Sequence, residues 1–256
     1  MRPLAALAAA ACLLALSGLA APRVQAEGRP ENVDVLLVLA ADVSRSIDDG
    51  EFNLQRKGYA AAMTDPRVLR AIAGGPHHAI ALTFVEWAGE SDQKIVVDWT
   101  VLRDEEGAAG VAAAILAAPR SYVGRTSISG AIDFAVARFA AAPAKGDKRI
   151  IDVSGDGTSN AGRAVTEARD AAVAAGITIN ALAIINNQTN VGYAFHTHPP
   201  GGLPKYFADN VVGGPGNFLL QVEDFGTFAD AISRKLVAEI ARTPAMQRSA
   251  GADLAR

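Results

Sequence analysis

The sequence contains a single cysteine, Cys12, and few aromatic residues, which make up 6% of its 256 positions. With one cysteine the chain cannot form an internal disulfide, and a zinc site built from several thiolates is excluded. The low aromatic content argues against an aromatic-lined cleft for a sugar or another small molecule. Basic residues are not in excess, because 24 Lys and Arg face 27 Asp and Glu. The charge therefore gives no reason to expect binding to nucleic acid or to an anionic membrane.

The longest apolar run lies near the N-terminus, between Leu4 and Ala20, and follows Arg2. A small-x-small cleavage pattern ends at Ala26, so residues 1–26 are predicted to be a signal peptide. Its removal takes Cys12 away and leaves 22 basic and 27 acidic residues, a net charge of −5. We expect an exported protein, periplasmic or secreted. No later run reaches the roughly 20 apolar residues of a transmembrane span.

The rest of the chain alternates strand-like and helix-like segments. Aliphatic and β-branched runs predict strands at 33–41, 78–87, 94–102, 148–153, 177–185 and 217–222. Amphipathic or alanine-rich segments predict helices at about 48–63, 104–118, 128–141, 163–175 and 224–240, with a shorter one from Pro66. A turn at 88–91 leads almost directly from the second strand into the third. This connection is too short for a parallel crossover, so the third strand must be antiparallel. The pattern predicts a doubly wound α/β domain over residues 27–242, with helices on both faces of the sheet and a frayed tail at 243–256.

A long connection rich in Gly, Pro and Asn separates the fifth strand from the sixth, at residues 186–216. It is predicted to contain one short helix near 204–209, to emerge at the ligand-binding edge of the sheet and to select a partner without a role in the core. His196 and His198 could bind zinc if this segment were a strand, since alternate residues share a face. The neighbouring prolines make a loop with solvated histidines the other interpretation.

Polar side chains follow the strands at the edge where parallel sheets bind ligands. The first strand leads to Asp42, Ser44 and Ser46, the fourth leads to Asp156, and the loop before the 128–141 helix supplies Thr126. Two carboxylates and three hydroxyls suit a hard cation, Mg²⁺ or Mn²⁺ with Ca²⁺ as a further candidate, and the lack of His or Cys among them argues against zinc. The alternative is that the serines and Asp156 merely cap helices.

These three segments resemble the metal-ion-dependent adhesion site (MIDAS) of von Willebrand factor A (vWA) domains. The resemblance rests on Asp42-Val43-Ser44-Arg45-Ser46, Gly124-Arg125-Thr126 and Asp156-Gly157-Thr158-Ser159-Asn160. It implies a Rossmann-like sheet of strand order 3-2-1-4-5-6, with Ser44, Ser46 and Thr126 as hydroxyl ligands and Asp42 and Asp156 ligating directly or through water. Longer sequence segments, such as Gly124-Arg125-Thr126-Ser127-Ile128, resemble the sequences of a bacterial secreted subfamily of uncharacterised function.

Two residues near these segments each allow two interpretations. Typical vWA domains carry small residues between the two serines, whereas this chain carries Arg45, which either reaches an incoming carboxylate or points to solvent. Glu86 ends the second strand at the same edge. It is either a further acidic neighbour of the metal or a strand-end carboxylate that is solvated or paired with a Lys or Arg.

The predicted function is an exported, metal-dependent protein-binding module of the adhesion type. It would capture an acidic residue of a protein partner through a bound cation, without catalysis. The alternative is a metal-assisted hydrolase acting on phosphate or acyl esters, which needs a nucleophile or base with a partner. The sequence pattern places no histidine near Ser44 or Ser46, and it contains no Gly-x-Ser-x-Gly elbow and no phosphate-binding loop. It gives no indication of the oligomeric state.

Overall fold

The computed structural model describes residues 31–185, 194–223 and 227–241. The predicted signal peptide, the first part of the long connection at 186–193, the start of the last predicted helix and the predicted tail lie outside the described residues. The domain boundaries therefore remain predictions.

Six strands form one sheet. They are β1 Glu31–Asp42, β2 Ile80–Trp87, β3 Gln93–Leu102, β4 Ala144–Gly155, β5 Thr178–Ile184 and β6 Leu219–Val222. Their order is β3-β2-β1-β4-β5-β6, and all neighbours are parallel except β2 and β3, which are antiparallel. The predicted strand order and the antiparallel third strand are confirmed. β4 is longer than predicted because Ala144 and its neighbours continue the pairing with the start of β1.

Eight α-helices flank the sheet in the described part of the chain. They are α1 Asp49–Met63, α2 Pro66–Ala73, α3 Glu105–Ala117, α4 Ile128–Arg138, α5 Val165–Ala174, α6 Ala194–Thr197, α7 Leu203–Asn210 and α8 Phe228–Ala241. Helices α1, α2, α3 and α8 pack on one face of the sheet, and α4, α5 and α7 pack on the other. The predicted doubly wound fold is confirmed. Among the described residues no helix is both long enough and apolar enough to span a membrane.

Strand β1 runs through the middle of the molecule. Its residues from Val33 to Asp42 are all buried. Leu37 and Leu39 face the core beneath α1 and α8, whereas Val38 and Ala40 face the core beneath α4 and α5. The continuous aliphatic run follows from this position, since a central parallel strand is covered on both faces.

The second half of the long connection belongs to the core, contrary to the prediction. Leu203 and Phe207 of α7, and Val211 directly after it, are 0–2% exposed and lie in the same cluster as the side chains of α4 and α5. These residues recur every four positions, so they lie on one side of the helix. The prediction rested on the high Gly and Pro content of the whole connection, which does not reveal such a short apolar face.

Candidate metal site

The end of β1 and the loop after it carry three of the five predicted site residues. Asp42 and Ser44 are fully buried, and Asp42 Oδ1 accepts a hydrogen bond from the Ser44 amide at 2.7 Å. Ser46 is half-buried, and its Oγ lies 3.3 Å from Ser44 Oγ. The loop therefore turns these three side chains toward one point at the carboxyl end of β1.

The helix-capping explanation of these residues is wrong. Asp48 caps α1, through a capping box with Glu51, so neither serine is needed there. Helix α5 begins at Val165, well beyond Asp156, and no side chain caps it.

The two other segments close the site around the β1 loop. Thr126 Oγ1 donates a hydrogen bond to Ser44 Oγ at 3.0 Å, and Ser46 Oγ donates one to Asp156 Oδ1 at 2.6 Å. Asn160 holds Thr126 in place through two hydrogen bonds. Its side-chain Oδ1 accepts from the Thr126 backbone amide at 3.0 Å, and its backbone amide donates to the Thr126 carbonyl at 2.8 Å. The structure thus brings all five predicted residues together.

The spacing of these oxygens matches the ligand shell of one cation. From Thr126 to Ser44, Ser46 and Asp156, successive oxygens lie 3.0, 3.3 and 2.6 Å apart. Octahedral bonds of 2.0–2.1 Å place adjacent ligands about 3 Å apart.

Two carboxylate oxygens provide the test of whether a cation fits. Asp42 Oδ2 and Asp156 Oδ2 are buried, and neither has a hydrogen-bond partner among the described residues. An unpaired buried carboxylate is costly, whereas a divalent cation stabilises it and prefers oxygen ligands. The residues present therefore fit a hard divalent cation.

Burial also shifts the titration of both carboxyl groups. It raises the pKa of Asp42 well above its usual value, and the charge of Asp156 raises it further. Burial raises the pKa of Asp156 to about 6, although the hydrogen bond from Ser46 opposes the shift. Without a cation, the site therefore resists full ionisation at neutral pH.

Replacing Asp156 by asparagine is expected to stabilise the metal-free protein above pH 6, by up to about 3 kcal/mol. The folded pKa of about 6 exceeds the usual 3.8, so the favourable contribution of this group is present below about pH 4. It is lost as the pH rises through 6. Thermal melts in chelator at pH 4.5 and pH 8 test this, with exposed Glu90→Gln as the control. Equal melting temperatures of Asp156→Asn and wild type at pH 8 would contradict it.

Arg120 supports the β1 loop and was missed in the sequence. Its Nη2 donates hydrogen bonds to the carbonyls of Val43, Ser44 and Ile47 at 2.9, 3.0 and 2.8 Å. One guanidinium thus fixes the backbone that carries Ser44 and Ser46. The only sequence signal was a basic residue in the loop before Thr126.

Glu86 is a structural partner rather than a solvated end of its strand. It forms a buried ion pair with Arg56 of α1, in which Arg56 Nε donates to Glu86 Oε1 at 2.9 Å. Its other oxygen accepts from the Ser121 amide at 3.0 Å. The paired interpretation is therefore confirmed. Arg45 is exposed, in agreement with the interpretation that it points to solvent.

His196 approaches the site from α6. Its Nε2 lies 3.1 Å from Thr126 Oγ1, and its Nδ1 lies 3.2 Å from Thr158 Oγ1. Burial lowers its pKa, so the imidazole is neutral near pH 7. The solvated-loop interpretation is wrong for His196, since tertiary packing brings it to Thr126, whereas His198 is exposed and lies 2.9 Å from the Thr197 hydroxyl. The two rings do not form a pair on a strand.

A second group of possible ligands lies at the opposite edge of the sheet. Ligand atoms of Asp34, His77 and Asp147 lie within 4.8 Å of one another. Asp34 Oδ1 already accepts from the His77 amide at 2.9 Å, and Asp147 is exposed and lies 3.2 Å from His77 Nε2. The existing contacts explain this group as one that fixes the turn before β2.

Comparisons with known proteins agree with the fold. A family model described as "Protein of unknown function (DUF1194)" matches residues 32–244. No curated protein matches the sequence.

Several solved structures are similar to the chain. Proximal thread matrix protein 1 from the mussel byssus is 18% identical with a TM-score of 0.54, and the match covers 83% of this chain and 49% of that one. A von Willebrand factor type A protein from Catenulispora acidiphila is 16% identical with a TM-score of 0.56, covering 82% and 43%. A further structure of the mussel protein, 18% identical with a TM-score of 0.55 and covering 83% and 49%, has a zinc-occupied MIDAS motif. The chain thus has the vWA fold and spans less than half the length of these proteins.

Proposed function

The chain belongs to the DUF1194 family and has the vWA fold, and from this premise we propose that it is a metal-dependent protein-binding module. In this proposal Asp42, Ser44, Ser46, Thr126 and Asp156 hold one divalent cation, Mg²⁺ or Mn²⁺ with Ca²⁺ as a further candidate. The module captures a carboxylate of a protein partner and works outside the cytoplasm, after removal of residues 1–26.

One observation carries the proposal. Asp42 and Asp156 each bury a carboxylate oxygen that has no hydrogen-bond partner in the described part of the chain, beside a row of hydroxyls spaced like metal ligands. Such an arrangement is unfavourable unless a cation completes it.

A bound divalent cation supplies a positive centre for an anionic partner group, because two carboxylates and three neutral hydroxyls leave it short of ligand charge. The chain's own residues fix the geometry. Arg120 holds the β1 loop, and Asn160 holds Thr126. Phe195, next to His196, and Val123, between Arg120 and Thr126, are 91% and 57% exposed. Exposed apolar residues beside a polar site suit a protein partner.

The metal part of the proposal is tested by titrating Mn²⁺ into wild type and Asp156→Ala in a calorimeter. We expect at least an approximately 100-fold loss of affinity in the variant, since loss of an outer-shell partner alone costs about 10–100-fold. Glu90→Ala, which removes an exposed carboxylate from the β2–β3 turn, is the matched control. If Asp156→Ala binds Mn²⁺ as tightly as wild type, the site assignment is wrong.

The partner part is tested by capture from a cell-envelope extract on immobilised wild type and Asp156→Ala, each with Mg²⁺, with Mn²⁺ or with chelator. We expect a protein retained by wild type with metal and released by chelator. The variant should not retain it. A protein captured equally in all conditions binds independently of the metal and would overturn this part of the proposal.

The hydrolase alternative gains one observation, since His196 lies near Thr126 and the absence of a nearby histidine was part of the argument against it. Thr126, the hydroxyl next to His196, nevertheless makes a poor nucleophile because it is only 2% exposed, and Ser44 is fully buried. We therefore propose binding without catalysis. Release of nitrophenol from nitrophenyl phosphate or acetate by wild type with metal, but not by Asp156→Ala, would favour the hydrolase instead.

A further inference from the structure

His196 lies against the proposed oxygen site, although the sequence placed it in a separate connection. Its Nε2 is 3.1 Å from Thr126 Oγ1, which in turn is 3.0 Å from Ser44 Oγ. The ring thus extends the row of spaced ligand atoms by one nitrogen. The separation matches the roughly 3 Å between adjacent ligands of an octahedral cation.

The surroundings of His196 fix the ring in this position. The Thr158 amide donates to the His196 carbonyl at 3.0 Å, and Thr158 Oγ1 lies 3.2 Å from His196 Nδ1. In the tautomer whose Nδ1 donates a hydrogen bond to Thr158 Oγ1, the lone pair of Nε2 is free to bind a metal. Metal-binding histidines are commonly oriented through their second nitrogen in this way.

Gly157 provides the space for the imidazole. A β-carbon at this position would collide with the ring, at Nε2, Cδ2 and Cε1. The residue after Asp156 therefore has no side chain at the place where the nitrogen approaches. Any larger residue would push His196 away from Thr126.

We propose that His196 is a nitrogen ligand of the same site, and that it gives the site a preference for Zn²⁺ over Mg²⁺. This inference rests on the proposed metal site and names its cation class. Imidazole suits Zn²⁺ and similar transition metals, whereas Mg²⁺ prefers oxygen ligands. The sequence argument against zinc assumed that no histidine reached the oxygen set, and the placement of His196 removes that assumption.

The test compares Zn²⁺ and Mg²⁺ affinities of wild type, His196→Ala, Gly157→Ala and His198→Ala by calorimetry. His198→Ala is the matched control, because this exposed ring belongs to the same segment and contacts only Thr197 among the contacts described for it. We expect His196→Ala and Gly157→Ala to lose at least about 10-fold in Zn²⁺ affinity. The Mg²⁺ affinity should change far less, and His198→Ala should match wild type.

A second measurement reports ligation directly. In protein with ¹⁵N-labelled histidine, Zn²⁺ should shift the Nε2 resonance of His196, and Mg²⁺ should leave it in place. If the Zn²⁺-to-Mg²⁺ preference of His196→Ala equals that of wild type and its resonance does not respond to Zn²⁺, His196 is not a ligand and the inference is wrong.

The controls separate this inference from the proposed function. If Asp156→Ala abolishes binding of every cation while His196→Ala changes nothing, the oxygen site stands and the inference falls. If Asp156→Ala binds both cations like wild type, the proposed site itself is wrong. A Zn²⁺ loss shared by His196→Ala and His198→Ala would indicate a histidine site apart from Asp156 and would also overturn the inference.

Discussion

Replacing Lys235 by alanine is expected to destabilise the protein by about 3–5 kcal/mol, because it leaves buried carboxylates without their cation. Lys235 Nζ lies 2.6 Å from Asp152 Oδ1 and 2.6 Å from Glu239 Oε1, and all three side chains are fully buried between α8 and β4. At this chain length the loss corresponds to a fall in melting temperature of about 6–20 °C. Thermal and urea denaturation measure it.

A surface ion pair of the same kind provides the control. Lys205 Nζ lies 2.8 Å from Asp209 Oδ2 on α7, but the two side chains are 64% and 54% exposed. Lys205→Ala should therefore cost only about 0.3–0.5 kcal/mol. Similar losses in the two lysine variants would show that burial of the charges does not determine the effect.

The cost of Lys235→Ala should depend on pH. In wild type, burial and the charge of Asp152 raise the pKa of Glu239 to about 7, against the opposing effect of Lys235. A folded pKa above the usual 4.5 means that the favourable contribution of Glu239 is present below about pH 4.5 and is lost as the pH rises through 7. Removing the cation raises the pKa further. The variant should therefore be most destabilised at pH 8 and much less so at pH 4.

The oxygen site could be predicted from the sequence because each ligand follows directly from a strand or a helix start. Asp42 and Asp156 lie at or just after the ends of β1 and β4, and parallel neighbours bring their ends to one edge. Thr126 precedes α4, whose start at the same edge follows from the antiparallel β3. Strand direction and strand order therefore place these residues without any knowledge of packing.

The groups that the sequence missed depend on long-range packing. Arg120 reaches the β1 loop from a connection without regular structure, and its contacts with that loop are to backbone carbonyls that any residues would offer. Lys235 lies on a helix that otherwise looks amphipathic. The residues around it in the sequence do not predict its contact with Asp152, which lies on a strand far away along the chain. The sequence pattern predicts whether a residue lies in a helix or a strand. It does not predict which distant residue the side chain contacts.

His196 shows the same limit at the proposed site. The prolines that directly follow His198 correctly argue against a strand at residues 196–198. Sequence patterns could not place α6 beside Thr126, because that contact joins residues 70 positions apart in the chain. Function-bearing residues on long connections are the ones that local patterns locate least well.

Replacing Phe207 by alanine is expected to cost about 3–5 kcal/mol, the usual range for removing a buried aromatic ring. Phe207 is fully buried on α7, and the tip of its ring packs beneath Gly155 at the end of β4. Leu203 of the same helix and Val211 directly after it are also buried, so replacing residues 188–214 by a short linker should prevent folding rather than only abolish partner capture. Urea denaturation of Phe207→Ala measures the loss.

The matched control is Phe195, the same residue type in the same connection but 91% exposed. Phe195→Ala should leave the free energy of unfolding within about 0.5 kcal/mol of wild type, because it removes almost no buried area. If Phe195 contributes to the partner surface, this variant weakens capture while it retains a wild-type melt and metal affinity. A Phe207→Ala protein as stable as wild type would mean that α7 does not contribute to the stability of the fold. The connection would then have only the partner-selecting role that its composition first suggested.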